Sequence, residues 1–353
     1  MMSNKRNIVI DIMKAIGIFL VVLGHTVPYD SAIRRYIYIF HLPLFFVVSG
    51  YLYNSVSSKK PWEYIGKKLY SFFKLFVFYG IFLLLFHNVF FKLGILENSF
   101  SYTIKDFIVR LLNTFLFQSN ESFSGPLWFV PVLFVSLVIY NFITHFIYRE
   151  EIWKSEIYRS WAVVFCALLG IYLTSRGINI GLGYQISFLV IPFIHFGQIY
   201  KLYLKDRLKP DIVIALFIVL NSIGFFLNVD GDVDIAYGRI WNPILFYILV
   251  PCMIYSVYTF SYYISIYLKR ISNALAHVGE NSFHIMALHV MFFKLFDLVY
   301  YYIFKPSDFN LSLFPISSHK YFIIYTIFSI ICSLIFVKVV GYIKKFVSRF
   351  KFY

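Results

Sequence analysis

Along this chain, apolar residues gather in runs of roughly twenty bounded by short polar clusters, the length that crosses a bilayer as a helix. Ten runs stand out, near 8–28, 33–53, 69–91, 126–148, 160–176, 183–203, 211–228, 243–266, 280–304 and 321–343. The fifth is short and is expected to tilt little or to lie partly in the interface. The pattern predicts an all-α polytopic integral membrane protein with about ten transmembrane helices. Two connections are not simple turns. Within residues 92–125, TIKDFIVRLLNTFLF repeats Phe107, Leu111, Phe115 and Leu116 at helical intervals, so an interfacial amphipathic helix is expected there. Residues 228–242 cluster Asp230, Asp232 and Asp234, but the twelfth position of a calcium loop falls on Trp241 instead of Glu.

Composition agrees with this reading. With 60% hydrophobic and only 14% charged residues, and a mean hydropathy of +0.74, the chain lacks the charge to cover a soluble surface. The first run holds Asp11 and Lys14 and shows no small-residue cleavage site before Pro28, so it reads as a retained span, not a signal peptide. With the N-terminus inside, 19 Lys and Arg residues fall on inner segments and 9 on outer ones, which predicts both termini in the cytoplasm. The same bias accounts for the net +15 through an anionic leaflet, with no call on nucleic acid. There is no internal repeat, low-complexity tract or separable soluble domain, so residues 1–353 read as one transmembrane domain. Cys166, Cys252 and Cys332 lie in apolar runs and are expected to be buried thiols.

Ionisable groups inside such spans are costly and invite a functional reading. Arg6–Tyr53 carries Asp11, Lys14, His25 and His41. On a helix, Asp11, Lys14 and His25 form one stripe, with Lys14 and His25 separated by roughly 16 Å of rise. Asp11 and Lys14, at i and i+3, can neutralise one another, and Lys14 can snorkel. A hairpin of the first two spans places His25 and His41 at similar depth on a shared cavity, where a neutral imidazole is a competent general base for a hydroxyl. For His41 the alternative is that F-H-x-P sets helix geometry and supplies a partner. In the ninth run, Glu280 and His284 at i and i+4 can pair, Lys294 and Asp297 at i and i+3 should cancel, and His289 has no evident partner in its own helix. No metal spacing, serine-hydrolase signature, Rossmann or P-loop fingerprint occurs, so no metal is expected.

The run K-x10-H ending in LGH, followed by FHLPLFFVVSGYLY, resembles membrane acyltransferase family 3, and within it the fucose 4-O-acetylase-like branch. GPLWFVPVLF (125–134) is similar to the family's LWF motif, and VGENSFHIMALHV to its G-x-N-S-x-x-I-x-x-x-H pattern. The resemblance covers most of the chain and is specific at 6–53, 124–134 and 277–290. Many members carry Arg where this chain has Lys14, which keeps the charge but loses the bidentate fork.

The resemblance implies a plasma-membrane O-acyltransferase, most simply an O-acetyltransferase. It would move the acyl group from acyl-coenzyme A, as co-substrate, to a sugar hydroxyl of a surface glycan or its lipid-linked precursor. His25 would be the catalytic base. Lys14 would face the donor, with Ser49 or Asn281 near the donor or the developing oxyanion. Asp11, His41 and His289 complete the substrate-binding candidates. Trp128 reads as an interfacial anchor, with the sugar-facing mouth as its alternative. Some members continue into an esterase-like domain; this chain stops eight residues after Lys345, so a stand-alone enzyme is expected. The competing readings are succinyl or other acyl transfer, and a glycan or lipid transporter.

Overall fold

The computed structural model describes residues 6–96, 100–118, 121–147, 152–227, 233–306 and 309–350; Asp230 and Asp232 lie outside them. Among the described residues the chain is helical, with one isolated bridge between Asp234 and Arg239. The helices are α1 (Ile8–Gly24), α2 (Ala32–Leu52), α3 (Pro61–Lys92), α4 (Ile104–Phe115), α5 (Phe129–Phe146), α6 (Ile152–Ser175), α7 (Gln185–Ile199), α8 (Ile212–Leu227), α9 (Pro243–Tyr267), α10 (Lys269–Glu280), α11 (Ser282–Phe304) and α12 (Phe322–Phe350).

Eight segments among the described residues are long and apolar enough to cross a membrane. The other two expected spans emerge as α1 and α8, of 17 and 16 residues. The fifth span is not short: α6 has 24 residues, because Arg159 pairs with Glu156 and lets the helix begin in polar sequence. The ninth emerges as α11, with the separate helix α10 ending just before it at Glu280.

α1 is the central helix, packed against α2, α9, α10, α11 and α12. Asn7 starts it by accepting the N–H groups of Val9 and Ile10. It ends at Gly24, which leaves His25 as its C-cap. α2 and α7 cross at Gly50 and Gly197: a Cβ on Gly50 would meet the Ile194 carbonyl, and one on Gly197 the Val47 carbonyl. Without a hydrophobic drive between helices in lipid, such close backbone approach supplies the packing.

α4 is the helix expected in the 92–125 connection, but it does not lie apart from the bundle. Asn88 bonds both backbone groups of Tyr102, Gly80 packs on Thr114, and Phe73 meets Phe115, so α4 runs antiparallel along α3. Its polarity is inverted relative to a soluble surface helix. Arg110 and buried Thr114 turn inward, while Ile104, Ile108, Leu112, Phe115 and Leu116 are exposed. Glu121, which follows the turn after α4, holds the buried His87 on α3 through an Nδ1–Oε2 contact of 2.7 Å. Burial pushes the Glu121 carboxyl above its usual range, and the His87 bond offsets part of that. Of the cysteines, Cys166 is buried but Cys252 is exposed on α9. Hydropathy cannot separate these positions, because lipid-facing and core-facing sites are equally apolar.

Candidate active site

A cavity of about 720 Å³ runs along α1 and α2. Its walls include Lys14, Ile18, Val21 and His25 from α1, and Arg34, Tyr38, His41, Phe45, Ser49 and Leu52 from α2. Arg34 and Leu52 stand in the first and last turns of α2, so the cavity follows that helix for roughly 27 Å. The face that carries the start of α1 is called here the N-terminal face, and the opposite one the far face.

At the N-terminal face, Lys14 Nζ lies 2.6 Å from Asp11 Oδ1. Asp11 is also held by Arg6 Nε at 2.5 Å, and Arg6 reaches Glu280 and the Ala276 carbonyl. Asp11 is buried behind this clamp and does not line the cavity; it anchors Lys14, which does. Glu280 therefore pairs with Arg6 and not with His284, because the break at Asn281 puts the two on different helices. His284 instead meets the Tyr79 hydroxyl at 2.6 Å. The Asn281 amide donates back to the His277 carbonyl, so Asn281 serves the break, and its neighbour Ser282 lines the cavity.

His25 lies beyond the last turn of α1, on the cavity wall. Its ring centroid is 6.5 Å from that of Tyr38 and 5.3 Å from that of His289. His41 follows from Tyr38 at 4.8 Å, with Nδ1 donating to the Ile37 carbonyl, so its Nε2 is the acceptor nitrogen. The four rings form one cluster, with His25 and His41 sharing the cavity as the hairpin geometry predicts. His289 is fully buried and does not line the cavity. It does have partners in its own helix, the carbonyls of Ile285 and Met286, which sequence spacing between side chains does not reveal. Trp128 lines the cavity and is not a lipid-facing anchor, because Phe129 beside it packs on Phe45 and Phe46 and turns that segment inward. Ser49 lines it as well.

The far end was not legible from motifs. The Arg34 guanidinium sits 3.9 Å from the Tyr29 ring centre and 3.8 Å from that of Tyr38, a double cation–π contact, and 3.8 Å from Asp234 Oδ2. Asp234 is buried, caps the turn 235–237 and pairs through its backbone with Arg239. Arg239 donates to the Tyr29 hydroxyl at 3.3 Å. Asp234, from the acidic cluster set aside as a failed calcium loop, thus stands on one wall of the cavity. The sequence signal was Arg34, a guanidinium two turns before F-H-x-P. Phe314 and Pro315 line the same end. Their loop is held by the buried Lys294–Asp297 pair at 2.8 Å, as the i, i+3 spacing predicts: Lys294 donates to the Leu313 carbonyl, and Asp297 accepts from the Ser317 N–H.

Residues 7–338 match the acyltransferase domain of acyltransferase family 3. The chain belongs to that family. The matched domain is an acyltransferase domain, and its match runs through nearly all the membrane-crossing helices. A 162-residue stretch is 26% identical to the nodulation protein NolL of Mesorhizobium japonicum. That stretch is 43% of this chain and 39% of NolL, so this chain spans well under half the length of the curated relative. No solved structure matches. For an acyltransferase, the cavity holds a cation at one end, imidazoles with acceptor nitrogens within it, and a rigid aromatic and charged rim at the other.

Proposed function

We propose that the chain is a plasma-membrane O-acetyltransferase that moves the acetyl group of acetyl-coenzyme A to a sugar hydroxyl of a surface glycan or its lipid-linked precursor. The observation that carries this reading is a single cavity with Lys14 at one face, His25 on its wall and the Tyr29–Arg34–Asp234–Arg239 rim at the other. With the N-terminal face in the cytoplasm, as the basic residues favour, the phosphates of the donor stay near Lys14 and the surrounding basic surface. The thioester arm extends along the cavity toward His25, roughly 16 Å of helix rise away. The acceptor enters from the far face, where aromatic rings and paired charges suit a pyranose ring and its hydroxyls.

In this reaction His25 takes the proton of the acceptor hydroxyl as its oxygen attacks the thioester carbonyl. The new C–O bond forms, the C–S bond breaks, and the coenzyme A thiolate takes the proton from the His25 imidazolium. His41 and Ser49 bind the substrates along the wall, and the carbonyl oxygen is stabilised as it gains charge by a donor in the same cavity. A cavity of this volume also admits a larger acyl group such as succinyl. Mass spectrometry of the surface glycan, with and without the gene product, tests the proposal. Loss of acetyl ester from one sugar in the deletion is expected; an unchanged glycan overturns it, and loss of a different acyl ester assigns the donor.

A further inference from the structure

His289 sits in the apolar run ALHVMFF of α11 with no exposed surface. A buried imidazole must satisfy both nitrogens or bear a cost of about 1–3 kcal/mol for the one left out. Its Nδ1 lies 3.1 Å from the Ile285 carbonyl and 2.9 Å from that of Met286. Carbonyls only accept, so the proton is on Nδ1, and in the neutral ring Nε2 is a bare acceptor. That Nε2 is buried and has no partner among the described residues.

Two rings stand beside it, Phe293 at 5.4 Å and His25 at 5.3 Å with a 34° tilt. Phe293 has nothing to donate. His25 has an N–H to give; the two rings are not bonded in this conformation, but a modest rotation of the His25 ring turns one of its nitrogens to hydrogen-bonding distance of the bare Nε2. We propose that His289 is the positioning residue of His25: its bare Nε2 accepts the N–H of the His25 ring and so leaves the other His25 nitrogen, on the cavity side, as the one that takes a proton. The proposal rests on the reading of His25 as the general base.

The arrangement has the logic of a nucleophile's base oriented by a third group, but with a neutral orienter. A carboxylate in the same place would bury a net charge in the membrane, whereas an imidazole locked by backbone carbonyls orients His25 at no such cost. The backbone bonds also fix the His289 ring itself, so the tautomer of His25 is set by α11 and not by the occupant of the cavity.

The test is steady-state kinetics on purified His289→Leu and His289→Gln, with melting temperature measured on each. Leu removes the acceptor; the Gln carbonyl oxygen restores one. The expected result is a kcat loss of roughly 10–100-fold for Leu with KM for acetyl-coenzyme A unchanged, the size of a slightly misplaced catalytic group. The Gln variant is expected to recover most of that turnover. Equal losses in Leu and Gln proteins that both remain folded, or a change in KM alone, would overturn the proposal. Should the Leu variant not fold, the unbranched apolar His289→Met takes its place in the comparison. His25→Ala is run alongside. Near-parental turnover there removes the general-base reading, whereas loss of turnover there with parental kcat in His289→Leu removes only the positioning role.

Discussion

In the proposed reaction Lys14 and His25 divide the work of the cavity between charge and proton transfer, and their variants should fail differently. Lys14→Ala is expected to raise the KM for acetyl-coenzyme A, and Lys14→Arg to keep substantial activity, because the anchor on Asp11 needs a cation and not a particular fork. Kinetics with varied donor check this; parental behaviour of both variants would make Lys14 a snorkelling cation only. Both residues were legible in the sequence, since an ionisable group in an apolar span stands out whatever the fold. What they touch was less so. Asp11 shares the stripe of Lys14, yet Arg6 from the preceding strand of chain and Glu280 from α10 draw it into a clamp behind the wall. Arg34 and Asp234 were missed because their meaning is mutual: 200 residues apart in sequence, they are 3.8 Å apart in space.

At the scale of helices, the α2–α7 crossing and the Lys294–Asp297 pair of α11 hold the walls of the cavity. Gly197→Val puts two methyl groups into the backbone of α2 and should lower the melting temperature in detergent and open the wall that carries Ser49. An unchanged melting temperature would mean that α2 and α7 do not cross this closely. Lys294→Met leaves Asp297 buried without its cation, and a loss of about 3 kcal/mol or more is expected in the same measurement. Helix existence followed from apolar run length almost throughout. Short helices and their contacts did not, because run length is blind to local bonds: α10 is amphipathic, lies outside every expected span and ends where the Asn281 amide closes on His277, and α4 stands against α3 through Asn88 and Gly80, which carry no periodic signal.

For the whole molecule, the reading requires two faces with different chemistry joined by one cavity. From the 19-to-9 distribution of basic residues, the N-terminal face is expected in the cytoplasm. Cysteines introduced at the exposed positions Ser101 and Tyr237 should then react with a membrane-impermeant reagent in intact cells; protection of both would invert the topology. The most direct test of the account uses proteoliposomes with labelled acetyl-coenzyme A sealed inside and surface-glycan extract outside. The parent protein is expected to place label on the external glycan. His25→Ala, folded and still binding the donor, is expected to lower that transfer by on the order of 10²–10⁴. Transfer only when donor and acceptor share a compartment, or near-parental transfer by folded His25→Ala, would contradict the account.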